Sequence, residues 1–207
     1  MTARPTPALR AGFAAAVCLL LFAWLAREVL RGDTLPFDTA VRSAVHARAF
    51  PLLTWAMRGV TQLGSSWWLL AFGAIAVWRL VQAGRRRAAL ILVAASAGAE
   101  ALEQILKLVF HRSRPEAFFG LDNPWTYSFP SGHAAISACF YGLLAAILTA
   151  RIESRRRRAA CWVLAVFVAL LVGFSRVYLG FHYPTDVIAG YALAVIWVAA
   201  VRAIAVL

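Results

Sequence analysis

The sequence predicts an all-α membrane protein that crosses the bilayer six times. Hydrophobic residues make up 62% of the 207 residues, and the mean hydropathy is +0.73, whereas a soluble domain is roughly one half apolar. Most of the charged residues fall in the gaps between long apolar runs, as the bilayer interior requires. No internal repeat or low-complexity linker divides the chain, so we interpret residues 1–207 as one domain.

Six apolar runs are each close to the roughly 20 residues that span a bilayer as a helix. They comprise residues 11–26, 66–81, 88–110, 133–150, 159–174 and 187–201. The first run follows Arg10 and is also compatible with a cleaved signal peptide. We expect a retained helix, because no clear small-x-small cleavage site follows it.

The long connection between the first two runs, residues 27–65, is predicted to contain amphipathic helix at the membrane interface. Apolar residues recur at three-to-four spacing after Asp33 and Thr34, which offer an N-cap. The same pattern resumes after Pro51. A helix with one apolar face lies in the interface plane more readily than across the bilayer.

Arginine accounts for nearly all of the net charge of +12. In a six-helix topology, the arginines before, between and after the apolar runs fall mainly on one side of the membrane. They are Arg4, Arg10, Arg85–Arg87, Arg151, Arg155–Arg158 and Arg202. Such clusters mark the cytoplasmic side of membrane proteins rather than a nucleic-acid surface. Both termini are therefore predicted to be cytoplasmic, and the preference for arginine over lysine indicates a bacterial inner membrane.

The cysteines give no sign of a disulfide framework or a metal site. Cys18, Cys139 and Cys161 lie within or beside apolar runs and have no metal-ligand spacing. We interpret them as small buried hydrophobic residues.

Three polar clusters follow apolar runs or precede them, all on the side predicted to face outward. They are Lys107 with Arg114-Pro115, Phe129-Pro130-Ser131-Gly132-His133, and Ser175-Arg176 with His182 and Asp186. Together they contain three cations, two histidines, a carboxylate and a Ser-Gly helix start. These groups suit a site that holds a phosphate and transfers it through histidine.

The second cluster predicts an anion site at a helix start. Ser131 is a good N-cap for the fourth run, and the free N–H groups of the first turn attract anions. Gly132 lets a phosphate approach the backbone, and His133 then lies where a proton donor is useful. An ordinary helix cap followed by an unrelated histidine is the alternative.

The third cluster combines a histidine with a carboxylate. Asp186 follows His182 by four residues, but Pro184 intervenes and is expected in the first helical turn. The carboxylate can still fix the tautomer of His182 through Nδ1, leaving Nε2 as the nucleophile. Arg176 would face the same pocket. Anchoring at the membrane interface is the alternative for this arginine.

The first cluster supplies two further cations. The fork of Arg114 suits two phosphate oxygens, and Lys107 adds a point charge; snorkelling at a helix end is the alternative. Glu103 precedes Lys107 by one helical turn, so an ion pair that supports the lysine is expected. Arg112 is assigned to support of the site or to an extra phosphate contact.

In this order, the clusters resemble the motifs of the type-2 phosphatidate phosphatase superfamily, which includes integral membrane lipid phosphatases. The matching positions, over residues 107–186, are Lys107-x6-Arg114-Pro115, Pro130-Ser131-Gly132-His133 and Ser175-Arg176-x5-His182-x3-Asp186. The resemblance implies that His182 is the nucleophile, Asp186 its orienting partner and His133 the general acid. It also implies the absence of metal and cofactor, and phosphate binding by Lys107, Arg114, Ser131, Gly132 and Arg176.

Three functions are compatible with these residues. The first is hydrolysis of a lipid phosphate or pyrophosphate: undecaprenyl pyrophosphate, phosphatidylglycerol phosphate, phosphatidate or a lipid A phosphate. The second is transfer of the phosphoryl group to an acceptor lipid. The third is a transporter or lipid-binding protein without catalysis, which gives no reason for two histidines and Asp186.

Overall fold

The computed structural model describes residues 6–205, and within them the chain is all-helical. The described helices are α1 (Pro7–Arg31), α2 (Leu35–His46), α3 (Pro51–Gln62), α4 (Ser66–Gln82), α5 (Arg86–Phe110), α6 (Gly132–Thr149), α7 (Arg155–Tyr178) and α8 (Pro184–Ala205). Each of the six predicted runs corresponds to one helix. The all-α fold class is confirmed. Arg4 lies outside the described residues.

Five of these helices are long and apolar enough to cross a membrane by themselves: α1, α5, α6, α7 and α8. The sixth span is less regular than the sequence indicates. α4 has 17 residues and forms a candidate span only together with α3, from which it is bent by 52°. The chain is an integral membrane protein with five spans, or six if this bent pair counts as one.

α6 forms the centre of the bundle and packs against α5, α7 and α8, while α1 packs against α8. The buried apolar cluster between α4, α5 and α6 contains Leu92, Phe140 and Leu143. Large apolar side chains on the outer helix faces remain exposed, among them Leu20 and Trp67. A polytopic protein places such side chains against acyl chains.

The connection between α1 and α4 contains two short helices, as its amphipathic pattern predicts. Thr34 stands at the N-cap position of α2, but its side chain caps no backbone N–H. The predicted N-cap position is therefore confirmed for Thr34, without a capping bond from its side chain. The hydroxyl of Thr34 instead accepts a hydrogen bond from Arg112 at 3.0 Å.

The two ends of the bundle differ in charge. Arg85, Arg87, Arg151 and Arg202 line one groove at the end where α5 begins and α6 ends. The three polar clusters lie at the opposite end, where α5 and α7 end and α6 and α8 begin. The sequence pattern that separates arginine loops from polar clusters thus corresponds to two separate ends of the folded chain.

Candidate active site

The start of α6 is the anchor of the site. Ser131 is fully buried, its backbone N–H donates to the carbonyl of Asp186 at 2.9 Å, and its hydroxyl has no protein partner. The side chain of Ser131 does not cap the helix, so it satisfies none of the first N–H groups of α6. A helix start of this kind attracts an anion through its dipole and its unsatisfied donors.

Gly132 is required by the close approach of α5. A Cβ atom at this position would lie 2.5 Å from Oε1 of Glu103 and 3.0 Å from its Cδ. Glu103 itself forms an ion pair with Lys107 across 2.6 Å, and both side chains are buried. The i,i+4 pair predicted from the sequence is present, and it positions the lysine beside the start of α6.

His182 and Asp186 are brought together by the turn that leads into α8, which begins at Pro184. Nδ1 of His182 lies 3.4 Å from Oδ2 of Asp186, and both side chains are buried. The same Oδ2 accepts the backbone N–H of Tyr183 at 2.9 Å. The carboxylate therefore faces the Nδ1 side of the ring and leaves Nε2 directed elsewhere.

Arg114 lies on that Nε2 side. Its Nη1 is 3.1 Å from Nε2 of His182 and donates to the carbonyl of Phe181 at 3.0 Å. Nε and Nη2 of Arg114 donate to the carbonyl and hydroxyl oxygens of Thr126 at 2.7 and 2.8 Å. Because Arg114 donates to Nε2, the neutral ring carries its proton on Nδ1, toward Asp186.

Arg176 completes the set of cations. It is almost fully buried at the end of α7, its Nη1 donates to the hydroxyl of Thr61 at 2.8 Å, and its guanidinium stacks on the ring of Phe181 at 4.1 Å. Its Nε has no protein partner. A buried donor without a partner is costly unless a ligand satisfies it, which makes this atom a candidate for an anion contact.

The pKa of His182 lies well below its ordinary value. Burial is the largest cause, and the positive charges of Arg114, Arg176 and Lys107 add to it. The ring is therefore neutral at neutral pH, with a lone pair on Nε2. His133, in the first turn of α6, is within electrostatic range of His182 and of the same three cations.

Arg112 is held between two carboxylates. Its Nη1 donates to Oδ1 of Asp186 at 2.6 Å, and its Nη2 donates to Oδ2 of Asp38 at 2.7 Å. Both terminal nitrogens are thus engaged with carboxylates. This geometry fits a support role for Arg112, and it leaves no terminal nitrogen free for the extra phosphate contact that the sequence also suggested.

Several residues that hold the site were not found from the sequence. They are Thr34, Asp38, Thr61, Thr126 and Thr185. Each is a common residue type, and most lie far along the chain from the groups they contact. Only a weak sequence signal pointed to Asp38 as a site residue: it is an acid within the apolar helical pattern of the connection between α1 and α4.

The arrangement can bind a phosphate and transfer it. Two buried cations (Lys107 and Arg176), the half-buried Arg114, a helix start with a free serine hydroxyl, and a neutral histidine oriented by a carboxylate lie at one end of a membrane bundle. Within residues 6–205, no group of three or more His, Cys, Asp or Glu side chains is placed to hold a metal ion. The fold and the site thus define the class as a membrane-embedded phosphatase.

Comparison with known proteins identifies the family. The sequence pattern of the PAP2 superfamily matches residues 88–206. The chain is 31% identical over 178 residues to phosphatidylglycerophosphatase B of Bacillus subtilis strain 168, covering 86% of this chain and 87% of that protein. It is 34% identical over 176 residues to decaprenylphosphoryl-5-phosphoribose phosphatase of Mycobacterium tuberculosis strain H37Rv, covering 82% and 88%.

A solved structure agrees with the sequence relatives. The crystal structure of the transmembrane PAP2-type phosphatidylglycerolphosphate phosphatase from Bacillus subtilis superposes with a TM-score of 0.86, at 29% identity, over 93% of this chain and 96% of that one. The chain belongs to the PAP2 superfamily, which confirms the resemblance drawn from the three motifs, and it is a hydrolase acting on phosphate esters.

Proposed function

We propose that the protein hydrolyses the phosphomonoester of a membrane lipid through a phosphohistidine on His182. The observation that carries this proposal is the position of the His182 ring. Its Nδ1 faces Asp186 at 3.4 Å, and its Nε2 faces the guanidinium of Arg114 at 3.1 Å. A phosphate bound by Arg114 would therefore present its phosphorus to the ring nitrogen that carries the lone pair.

Lys107, Arg114 and Arg176 bind the phosphate oxygens, together with the hydroxyl of Ser131 and the backbone at Gly132. In the first step, Nε2 of His182 attacks phosphorus in line and the phosphorus–ester oxygen bond breaks. His133 gives a proton to the departing alkoxide, which leaves as the lipid alcohol. Asp186 steadies the positive ring of the phosphohistidine through Nδ1–H.

In the second step, His133 takes a proton from water. The resulting hydroxide attacks phosphorus, the nitrogen–phosphorus bond breaks, and inorganic phosphate and neutral His182 are regenerated. The three cations stabilise the charge on the equatorial oxygens in both transition states, a task that Mg²⁺ shares in kinases. Turnover is therefore expected to need no added metal.

Phosphatidylglycerol phosphate is the substrate class that the comparisons favour. The relatives aligned over most of the chain are named for phosphatidylglycerophosphate and for decaprenylphosphoryl-5-phosphoribose, and both names describe a terminal phosphomonoester on a lipid. Phosphatidate, lipid A phosphate and undecaprenyl pyrophosphate are the other substrates to be compared. The arginine pattern supports a reaction on the outer face of a bacterial inner membrane.

The test is release of inorganic phosphate by purified protein in detergent with EDTA present. Phosphatidylglycerol phosphate is expected to be turned over faster than the other three lipids, and the His182→Ala variant should release none. Failure to release phosphate from any of the four lipids would contradict the proposed function. Activity that disappears in EDTA and returns with Mg²⁺ would contradict the metal-free mechanism.

A further inference from the structure

A second buried acid stands behind the His182–Asp186 pair. Asp38, on α2, is fully buried. Its Oδ2 accepts hydrogen bonds from Nη2 of Arg112 and from the hydroxyl of Thr185, both at 2.7 Å. Its Oδ1 accepts the backbone N–H of Thr185 at 3.0 Å. Asp38 therefore ties α2 to the first turn of α8, next to Asp186.

Arg112 connects the two acids directly. One terminal nitrogen donates to Oδ2 of Asp38 at 2.7 Å and the other to Oδ1 of Asp186 at 2.6 Å. The guanidinium also lies over the ring of Tyr183, 4.1 Å from its centre. A planar guanidinium held at both nitrogens and on one face has a fixed orientation, so the position of Asp38 sets the position of Arg112.

The same contact fixes the carboxylate of Asp186. Its Oδ1 is held by Arg112, while its Oδ2 accepts the N–H of Tyr183 at 2.9 Å and faces Nδ1 of His182. Rotation of the carboxylate would break at least one of these contacts. The chain of contacts thus runs from Asp38 through Arg112 and Asp186 to His182.

The two sides of the His182 ring face different charged groups. Two carboxylates, Asp38 and Asp186, lie on the Nδ1 side of His182 with the guanidinium of Arg112 between them, and Arg42 lies within electrostatic range of both acids. On the other side, the ring faces the positive charges of Arg114, Arg176 and Lys107. The carboxylate of Asp186 offsets these cations when the ring itself becomes positive on phosphorylation, because it lies next to Nδ1 and charges that are buried and fixed act strongly on each other.

We propose that Asp38 is a positioning residue of this site, which acts through Arg112 to keep the carboxylate of Asp186 directed at Nδ1 of His182. The proposal rests on the phosphohistidine function argued above. It assigns a role to α2, a helix that carries none of the three motifs.

The test replaces Asp38 with asparagine, which keeps the size and removes the charge. Arg112 then loses one of its two anionic partners and Asp186 is less firmly held. We expect kcat to fall about 10- to 100-fold, the range seen when the supporting partner of a catalytic group is removed. KM should stay close to the wild-type value, because the phosphate-binding cations are untouched.

A spectroscopic measurement separates positioning from general support of the fold. In ¹⁵N-histidine-labelled protein, the Nδ1–H proton of His182, assigned with His182→Gln, should resonate far downfield in the wild type. It should move upfield and exchange faster in Asp38→Asn. A fall in kcat with this resonance unchanged would overturn the proposal, and so would a variant with wild-type kcat.

Two neighbouring positions serve as controls. Asp33, also an acid, is exposed just before α2, so Asp33→Asn should change neither kcat nor the resonance. Thr34→Val removes a neutral hydrogen bond to the same Nη2 of Arg112 without changing the charge. Its effect on kcat should be smaller than that of Asp38→Asn, and an equal or larger effect would contradict a role for the charge of Asp38.

If Asp38→Asn does not fold, the double variant Asp38→Asn/Arg112→Gln decides the question, because it removes both members of one buried ion pair. It should fold, with low kcat and an upfield resonance. Wild-type kcat in this variant would mean that Asp38 only neutralises Arg112, and would overturn the proposal. If wild-type protein hydrolyses no lipid phosphate, the proposed function fails, while the Nδ1–H comparison still decides the positioning role.

Discussion

At the scale of single residues, each cation of the site is fixed by a partner outside the motifs or one helical turn away. Lys107 is paired with Glu103, Arg114 is held by Thr126, and Arg176 donates to Thr61. Side chains held in this way lose little freedom when a phosphate binds, so their charge is available in the transition state without reorganisation. The partners are therefore as much a part of the site as the motif residues.

The first residue-scale prediction concerns the protonation of His182. Burial and three neighbouring cations hold its pKa below the ordinary value of 6.5, so the ring stays neutral as the pH falls through 6.5 and is protonated only in more acidic solution. ¹⁵N NMR titration of substrate-free protein measures this directly. Protonation at or above pH 6.5 would contradict the assignment of Nε2 as an unprotonated nitrogen at neutral pH.

At this scale, the sequence predicts contacts between residues that are close along the chain and misses contacts between residues that are far apart. The Glu103–Lys107 pair lies within one helical turn and was predicted from spacing alone. The contact between Arg112 and Asp38 joins residues 74 positions apart, and that between Arg176 and Thr61 joins residues 115 apart. No local pattern reports such contacts, because they depend on how the helices pack.

At the scale of elements, the start of α6 is set by how closely α5 and α8 approach it. A Cβ at Gly132 would collide with Glu103, and a Cβ at Gly190 of α8 would lie 2.6 Å from the carbonyl oxygen of Ser131. The two glycines let three helices meet where the phosphate is proposed to bind. The sequence predicted the use of Gly132 for phosphate approach, but the contact with Glu103 required the fold.

The prediction at this scale is that Gly132→Ala damages the site. The added methyl group must displace the Glu103 carboxylate, which moves Lys107, or shift the start of α6. A misplacement of about 1 Å can cost roughly 10²-fold in rate, so kcat/KM should fall by about that factor. Phosphate-release kinetics measure the effect.

Gly142→Ala is the matched control on the same helix, because nothing lies within 4 Å of a Cβ built at Gly142. Its kcat/KM should match the wild type, and its thermal stability should be equal or higher, since alanine exceeds glycine in helix propensity by up to about 1 kcal/mol. Equal losses in both variants would contradict the special role of Gly132.

The helix boundaries show a second limit of sequence analysis. The apolar run at residues 66–81 reads as a simple span, yet the chain bends between α3 and α4. Gly64 packs there against Val172 and His133, and Ser65 caps α4 by accepting the N–H of Trp68 at 3.3 Å. Hydropathy gives the length of an apolar run but not the packing that bends it.

At the scale of the whole molecule, charge and chemistry separate to opposite ends of the bundle. The groove lined by Arg85, Arg151 and Arg202 lies at the end opposite to His182. The positive-inside rule assigns the arginine end to the cytoplasm, so the site is proposed to open outward. A lipid would then reach His182 from the outer leaflet.

This orientation predicts the labelling of two exposed loops. In a background without native cysteines, Asp122→Cys should react with an impermeant thiol reagent in intact spheroplasts. Glu153→Cys should react only after the membrane is permeabilised. Both positions are exposed acidic residues outside the helices, so the pair is matched in chemistry. Labelling of Glu153→Cys alone in intact spheroplasts would reverse the topology.

The central claim is that the phosphoryl group passes through His182. The most direct measurement is labelling of the purified protein with phosphatidylglycerol phosphate carrying ³²P in its terminal phosphate, quenched in alkaline detergent because phosphohistidine is stable to alkali and labile to acid. Rapid quench should trap label on a peptide that contains His182, and the His182→Ala variant should trap none. Label on another residue, or rapid turnover with no trapped phosphoenzyme in a single-turnover burst, would contradict the account.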